Sequence, residues 1–243
     1  MFFAQNDLIY DGRIEIVGDD AFHIARSLRM AVGDRISVAD GEGAVYECTL
    51  SEIRDERCIC EILEKNPART ESPMEITLYM AYPKGDKLEV VIQKAVELGA
   101  YRIVPFESER CIKKPSADKL DKKLERLNRI AKEAAKQCGR ARLPEVMPPL
   151  SFDAMLKAAA ESALPLFCYE CESTRTLAAV LSECKEAPRT VSVTVGCEGG
   201  FSEREAKAAI SAGLISVGLG PRILRCETAP SYALSALSYH FEL

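Results

Sequence analysis

Two short segments near the C-terminal end combine glycine with charged side chains, which a plain connector does not need. Gly196-Cys197-Glu198-Gly199-Gly200-Phe201 stands between the apolar run at 191–195 and Ser202-Glu203-Arg204-Glu205. Gly220-Pro221-Arg222-Ile223-Leu224-Arg225-Cys226-Glu227-Thr228-Ala229 follows a second apolar run at 214–219. Such a loop usually cradles phosphate on backbone N–H groups at a helix N-terminus. The carboxylate of Glu198 argues against an anion, and neither GxGxxG nor GxxxxGK[ST] is present. A bound group that lacks phosphate and carries positive charge suits Glu198 better, and the sulfonium of S-adenosylmethionine is one. The alternative is that the Gly-Gly pair is only a turn.

Both loops need a scaffold. From Met74 onward, strand patterns (76–81, 101–105, 164–169, 191–195 and 214–219) alternate with helical ones, which predicts an α/β domain with a largely parallel sheet. In such sheets ligands bind outside the carboxyl ends of the strands, where both loops fall. Asp86 with Glu89 predicts an N-capped helix that Gly99 ends, and Ser202 with Glu205 a capping box opening a helix that Gly213 closes. A last helix starts near Thr228. Residues 1–66 read instead as short strands at 13–17, 35–39, 44–53 and 57–63, with a hairpin turn at Asp40-Gly41-Glu42-Gly43, a second turn at 54–56 and a short helix capped by Asp20. This pattern predicts a small β-rich, barrel-like domain. Two prolines and polar residues at 66–73 mark a linker, so the expected domains are 1–68 and 73–243.

The composition, 47% apolar and 28% charged over 243 residues, is that of an ordinary globular chain. No apolar run reaches the roughly 18 residues of a bilayer span, and the chain is read as cytoplasmic, with no membrane partner. Its ten cysteines are read as free thiols. Cys168-Tyr169-Glu170-Cys171 is the one CxxC, without a second pair, so no metal is expected. The net charge of −5 conceals a strong asymmetry: residues 110–142 hold twelve basic against four acidic side chains, a net +8 that leaves −13 elsewhere. Helical spacing of Leu120, Leu124, Leu127, Ala131, Ala134 and Cys138 puts most of that charge on one outward helix face. It is either a solvated face or a polyanion-binding surface.

The two loop segments, read with Lys84-Gly85-Asp86-Lys87, Gln93-Lys94-Ala95-Val96-Glu97-Leu98-Gly99 and Ala134-Ala135-Lys136-Gln137-Cys138-Gly139-Arg140, resemble the signature of the RsmE family. These are the 16S ribosomal RNA uridine N3-methyltransferases of the SPOUT superfamily. His23, Arg26, Leu28, Arg29, Gly33 and Asp34 resemble its N-terminal domain. The chain departs from the family pattern at Cys197 (usually Pro), Cys226 (usually Thr) and Asn128 (often Trp).

The resemblance implies a PUA-like RNA-binding β-barrel followed by a SPOUT methyltransferase domain with a C-terminal trefoil knot, a homodimer, and 16S rRNA or the small ribosomal subunit as partner. It implies S-adenosylmethionine held by Gly196, Glu198, Gly199, Gly200, Leu219, Gly220, Ile223, Leu224 and Thr228. Methylation at N3 needs the N3 proton to leave and negative charge to spread over the uracil carbonyls. Arg225 is the expected stabiliser of that charge, with Glu198 or Glu227 as proton acceptor. Arg26, Arg29, Lys122, Arg126, Arg129 and Arg140 are expected to meet RNA phosphates. Three alternatives stay open: a SPOUT enzyme acting on a ribose hydroxyl or another base atom, a non-catalytic RNA-binding assembly factor, and covalent catalysis through Cys226 or Cys197, the thiol being activated by Arg225.

Overall fold

A computed structural model describes residues 1–112 and 120–243. In chain order the strands are β1 (Phe2–Phe3), β2 (Ile9–Tyr10), β3 (Arg13–Val17), β4 (Arg35–Ala39), β5 (Ala44–Ile53), β6 (Arg57–Pro67), β7 (Glu75–Ala81), β8 (Arg102–Glu107), β9 (Glu145–Val146), β10 (Leu150–Ser151), β11 (Leu164–Cys168), β12 (Thr190–Val195) and β13 (Ile215–Val217). The helices are α1 (Asp19–Phe22), α2 (Lys87–Glu97), α3 (Leu120–Cys138), α4 (Phe152–Ala160), α5 (Leu177–Glu183), α6 (Glu203–Ser211) and α7 (Thr228–Phe241). The chain forms two compact units, Met1–Glu71 with Ala135–Leu143, and Ser72–Ala134 with Pro144–Leu243. Residues 135–143 therefore pack with the first unit, although they lie within the 73–243 stretch.

The first unit is a curled six-stranded sheet in the order β1-β4-β5-β6-β3-β2. Strand alternation places Ile14, Ile16, Ile36, Val38, Leu50, Cys58 and Cys60 in one core. Register shifts in the β5–β6 pairing accompany the curl, as bulges do. The turn at 40–43 forms as expected: Asp40 Oδ1 accepts from the N–H groups of Glu42, Gly43 and Ala44 at 2.8–3.0 Å.

The second unit is a parallel sheet in the order β10-β8-β7-β12-β11-β13, with β9 also on β8. Residues pointing to either side are buried, Leu78, Ile103, Leu166 and Val193 as well as Tyr79, Val104, Phe167 and Thr194, so both faces are covered. The expected capping box at Ser202 and Glu205 is present. The expected caps at Asp20 and Asp86 are not formed. Gly18 precedes α1 and Asp20 accepts from Lys136 Nζ at 2.6 Å, while Asp86 makes no side-chain cap and Glu89 goes to Arg126 at 2.8 Å. At α1 a distant ion pair takes the Asp20 carboxylate, and at α2, where Asp86 does stand at the N-cap, another takes Glu89, its capping-box partner.

Candidate active site

Parallel pairing of β7, β12, β11 and β13 brings the loops at their carboxyl ends to one edge. There they enclose a cavity of about 580 Å³, a size that suits a small-molecule ligand. Gly196, Glu198, Gly199 and Gly200 from the first loop line it together with Leu219, Gly220, Ile223, Leu224, Arg225 and Cys226 from the second. Thr228 and Glu227 sit beside it at the start of α7. Lys87 of α2 and Glu170 of the loop after β11 also line it.

The glycines have steric reasons. Gly200 sits at φ +63°, and a Cβ there would collide with the Glu170 carboxylate, whose Oε1 accepts from Phe201 N–H at 3.1 Å. Gly218 passes close to the Glu172 carbonyl, its N–H donating to Arg175 O at 2.9 Å and its carbonyl accepting from Leu177 N–H at 3.0 Å. The segment after β13 is thus clasped by both ends of the loop after β11.

Glu198 and Glu227 converge on Lys87, whose Nζ lies 3.0 Å from Glu198 Oε1 and 3.4 Å from Glu227 Oε2. Glu198 also accepts from Lys84 N–H at 3.1 and 3.3 Å, which ties the first loop to the start of α2. Burial raises the Glu198 carboxyl, but hydrogen bonds from its own backbone, Lys87 and Lys84 prevail and hold it below the usual carboxylate range. Glu227 is lowered chiefly by its own backbone N–H, with help from Cys226 and Lys87. Both stay ionised and neither is unpaired. Sequence reasoning assigned no role to Lys87 or Glu170; the only signal was the motif Lys84-Gly85-Asp86-Lys87.

Arg225 lines the cavity and is exposed, and its side chain has no hydrogen-bond or ion-pair partner among the described residues. Its carbonyl accepts from Thr228 and Ala229 N–H at 2.9 Å, which fixes the backbone that carries it. The activation of Cys226 by Arg225 is corrected: burial, the hydrogen bond to Glu227 at 3.2 Å and the Glu198 charge push this thiol up to about 12. It is a poor nucleophile at neutral pH.

The basic residues divide sharply. Lys122 and Arg129 are exposed on α3, and Arg29 is exposed at φ +52°. Arg126 is exposed but paired with Glu89, and Arg26 forms a two-pronged pair with Asp55, its Nε 2.8 Å from Oδ1. Arg140 is a correction to the expected phosphate contacts. It is only 3% exposed and bonds Glu71 at 2.8 Å, while Glu71 also accepts from Ala141 and Arg142 N–H. Lys113, Lys114, Asp118 and Lys119 of the basic segment lie outside the described residues. Asn128 docks β9 through Val146, donating to its carbonyl at 3.0 Å and accepting from its N–H at 2.9 Å.

Residues 70–238 match the family model of the RNA methyltransferase domain, and residues 16–63 that of the RNA methyltransferase PUA domain. The chain is 38% identical to ribosomal RNA small subunit methyltransferase E of Bacillus subtilis over 94% of its length and 90% of the relative's. Identity to the protein of the same name from Synechocystis is 35%, over 95% and 74% of the two lengths. A crystal structure of ribosomal RNA small subunit methyltransferase E from Neisseria gonorrhoeae, bound to S-adenosylmethionine, superposes with a TM-score of 0.84 at 30% identity, covering 99% of this chain and 97% of that one. The two domain matches and full-length identity agree with the curled sheet, the parallel sheet and the two-loop cavity: the chain belongs to the ribosomal RNA small subunit methyltransferase E family of RNA methyltransferases.

Proposed function

We propose that this protein transfers a methyl group from S-adenosylmethionine to N3 of a uridine in 16S ribosomal RNA. One observation carries the reading: the two glycine-rich loops line a single cavity together with Arg225, whose exposed side chain has no partner among the described residues. The close approaches at Gly200 and Gly218 are to the chain's own Glu170 and Glu172, so these glycines let the two loops and the segment after β11 close together around the cavity. S-adenosylmethionine supplies an electrophilic methyl group on sulfur. The chain's own residues do the rest.

Gly196, Glu198, Gly199, Gly200, Leu219, Gly220, Ile223 and Leu224 form the cradle, and Thr228 secures its edge. Arg225 stabilises the charge that develops on the uracil carbonyls as the N3 proton passes to solvent water. Glu198 and Glu227, held ionised against Lys87, serve better as positioning groups than as proton acceptors, because their proton affinity is low. Arg29, Lys122 and Arg129 offer uncommitted charge to RNA phosphates, and the target base leaves its stack to reach the cavity. The first unit acts as the PUA-like RNA-binding domain, on the 16S rRNA or the small subunit, in the cytoplasm. Exposed Tyr232 and Tyr239 on α7 support a homodimer, and the clasp around Gly218 supports the knotted threading of the C-terminal segment.

The test is mass mapping of methylated nucleosides in ribosomal RNA with and without the gene, together with transfer by the purified protein. The expected product is 3-methyluridine, lost with the gene. A ribose 2'-O-methyl or carbon-methylated product would replace this reading with one of its alternatives.

A further inference from the structure

Two thiols meet beside the first motif loop. Cys111 lies in the turn after β8, its N–H donating to Ser108 O at 3.1 Å, and Cys197 follows β12, on the far side of β7. Ser108 holds both. Its Oγ is 3.4 Å from Cys111 Sγ and 3.9 Å from Cys197 Sγ, and its N–H donates to Cys111 Sγ at 3.4 Å. Cys111 also packs against the apolar cluster that contains Cys197.

Their surroundings give them different tasks. Hydrogen bonds from Cys197, then from Ser108, outweigh burial and bring Cys111 down to about 6. Its thiolate is thus favoured relative to an ordinary thiol, and it is partly exposed. Cys197, buried and on the same Ser108 hydroxyl, is pushed up by its neighbour Cys111 and by burial, and keeps its proton. An accessible thiolate beside a protonated thiol is the arrangement in which one sulfur reacts and the other resolves.

We propose that Cys111 and Cys197 form a site of reversible oxidation by hydroperoxides, closing a disulfide that locks the first motif loop. The consequence for cofactor binding rests on the function proposed above. In the first step the Cys111 thiolate attacks the terminal oxygen of ROOH. The O–O bond breaks, Cys111 becomes a sulfenic acid, and the expelled alkoxide takes up a proton and leaves as ROH. Cys197 Sγ then displaces hydroxide from that sulfenic acid, and the hydroxide leaves as water with the Cys197 proton. The two thiols are oxidised by two electrons in total, and the peroxide is reduced by two.

The loop has little slack to absorb the bond. A disulfide brings the sulfurs to about 2.05 Å, well inside non-bonded contact. Gly200 N–H donates to Cys197 O at 2.9 Å, and a Cβ at Gly196 would already lie 3.2 Å from Gly200 Cα. Displacement at Cys197 is therefore passed to Glu198 and Gly200, which line the cavity.

The experiment treats the reduced full chain with hydrogen peroxide, alkylates free thiols with iodoacetamide and maps peptides by mass. Calorimetry with S-adenosylmethionine follows on the same samples. The expected result is a Cys111–Cys197 linked peptide, reversed by dithiothreitol, with cofactor affinity about tenfold weaker in the oxidised chain and restored on reduction. Cys111→Ser should bind cofactor as the reduced parent does and lose its response to peroxide. Alkylated Cys111 after treatment, a disulfide to a different cysteine, or an equally sensitive Cys111→Ser variant would overturn the site. A disulfide that leaves affinity unchanged would overturn the locking. Absence of cofactor binding in the reduced chain would instead refute the proposed function, while the peptide map still decides the oxidation site.

Discussion

Two groups of charges around the cavity behave in opposite ways. In one, Lys87, Glu198, Glu227 and the Cys226 thiol satisfy one another within 3.0–3.9 Å, and Lys84 N–H completes Glu198. In the other, where Ile223 is 88% exposed, Arg225 has no side-chain partner among the described residues. Charges already neutralised by the fold hold loops in place. A charge with no partner in the fold remains available to a substrate. The same division runs through the basic surface, where Arg26 and Arg140 are spent on Asp55 and Glu71 while Arg29, Lys122 and Arg129 have no ion-pair partner among the described residues.

The sharpest way to break this contrast is Arg225→Ala. Turnover should fall by about a hundredfold or more with cofactor affinity little changed, measured by steady-state methyl transfer and calorimetry. Turnover near the parent's would place Arg225 with the structural charges. On the basic surface, Lys122→Glu with Arg129→Glu should weaken RNA binding about tenfold and flatten its salt dependence. Arg140→Ala should instead lower folding stability by about 2 kcal/mol, because it removes the charge partner of the half-buried Glu71 carboxylate and leaves it only the Ala141 and Arg142 N–H groups. Equal effects of the two changes on RNA affinity would dissolve the distinction between committed and uncommitted cations.

A smaller effect is expected in the Lys87 cluster. Lys87→Met leaves two carboxylates facing each other, and cofactor affinity should drop about fivefold, with Lys87→Arg recovering part of it. An unchanged dissociation constant would show that the clamp does not position the loops. The smallest effect belongs to Cys226→Thr, which should keep activity within about twofold and form no covalent adduct with 5-fluorouridine RNA. Loss of activity with folding and cofactor binding intact would favour carbon methylation over N3.

The features legible in the sequence were those whose partners lie within a few residues. The Asp40 turn and the Ser202–Glu205 capping box involve separations of two to four, and strand–helix alternation is a local periodicity. The glycine loops were legible for the same reason, as their spacing directly after apolar runs places them at strand ends. What tertiary structure decided was which distant group each charge would meet. Lys87 reaches Glu198 and Glu227 because the order β7-β12-β11-β13 gathers the ends of strands far apart in the chain. Glu89 and Asp20 leave their helix starts for Arg126 and Lys136, Arg140 goes inside to Glu71, and Cys226 is raised rather than activated. The physical reason is range: capping and turn chemistry are fixed by bonds a few residues long, whereas an ionised side chain takes the partner and the degree of burial that the packed sheet brings to it.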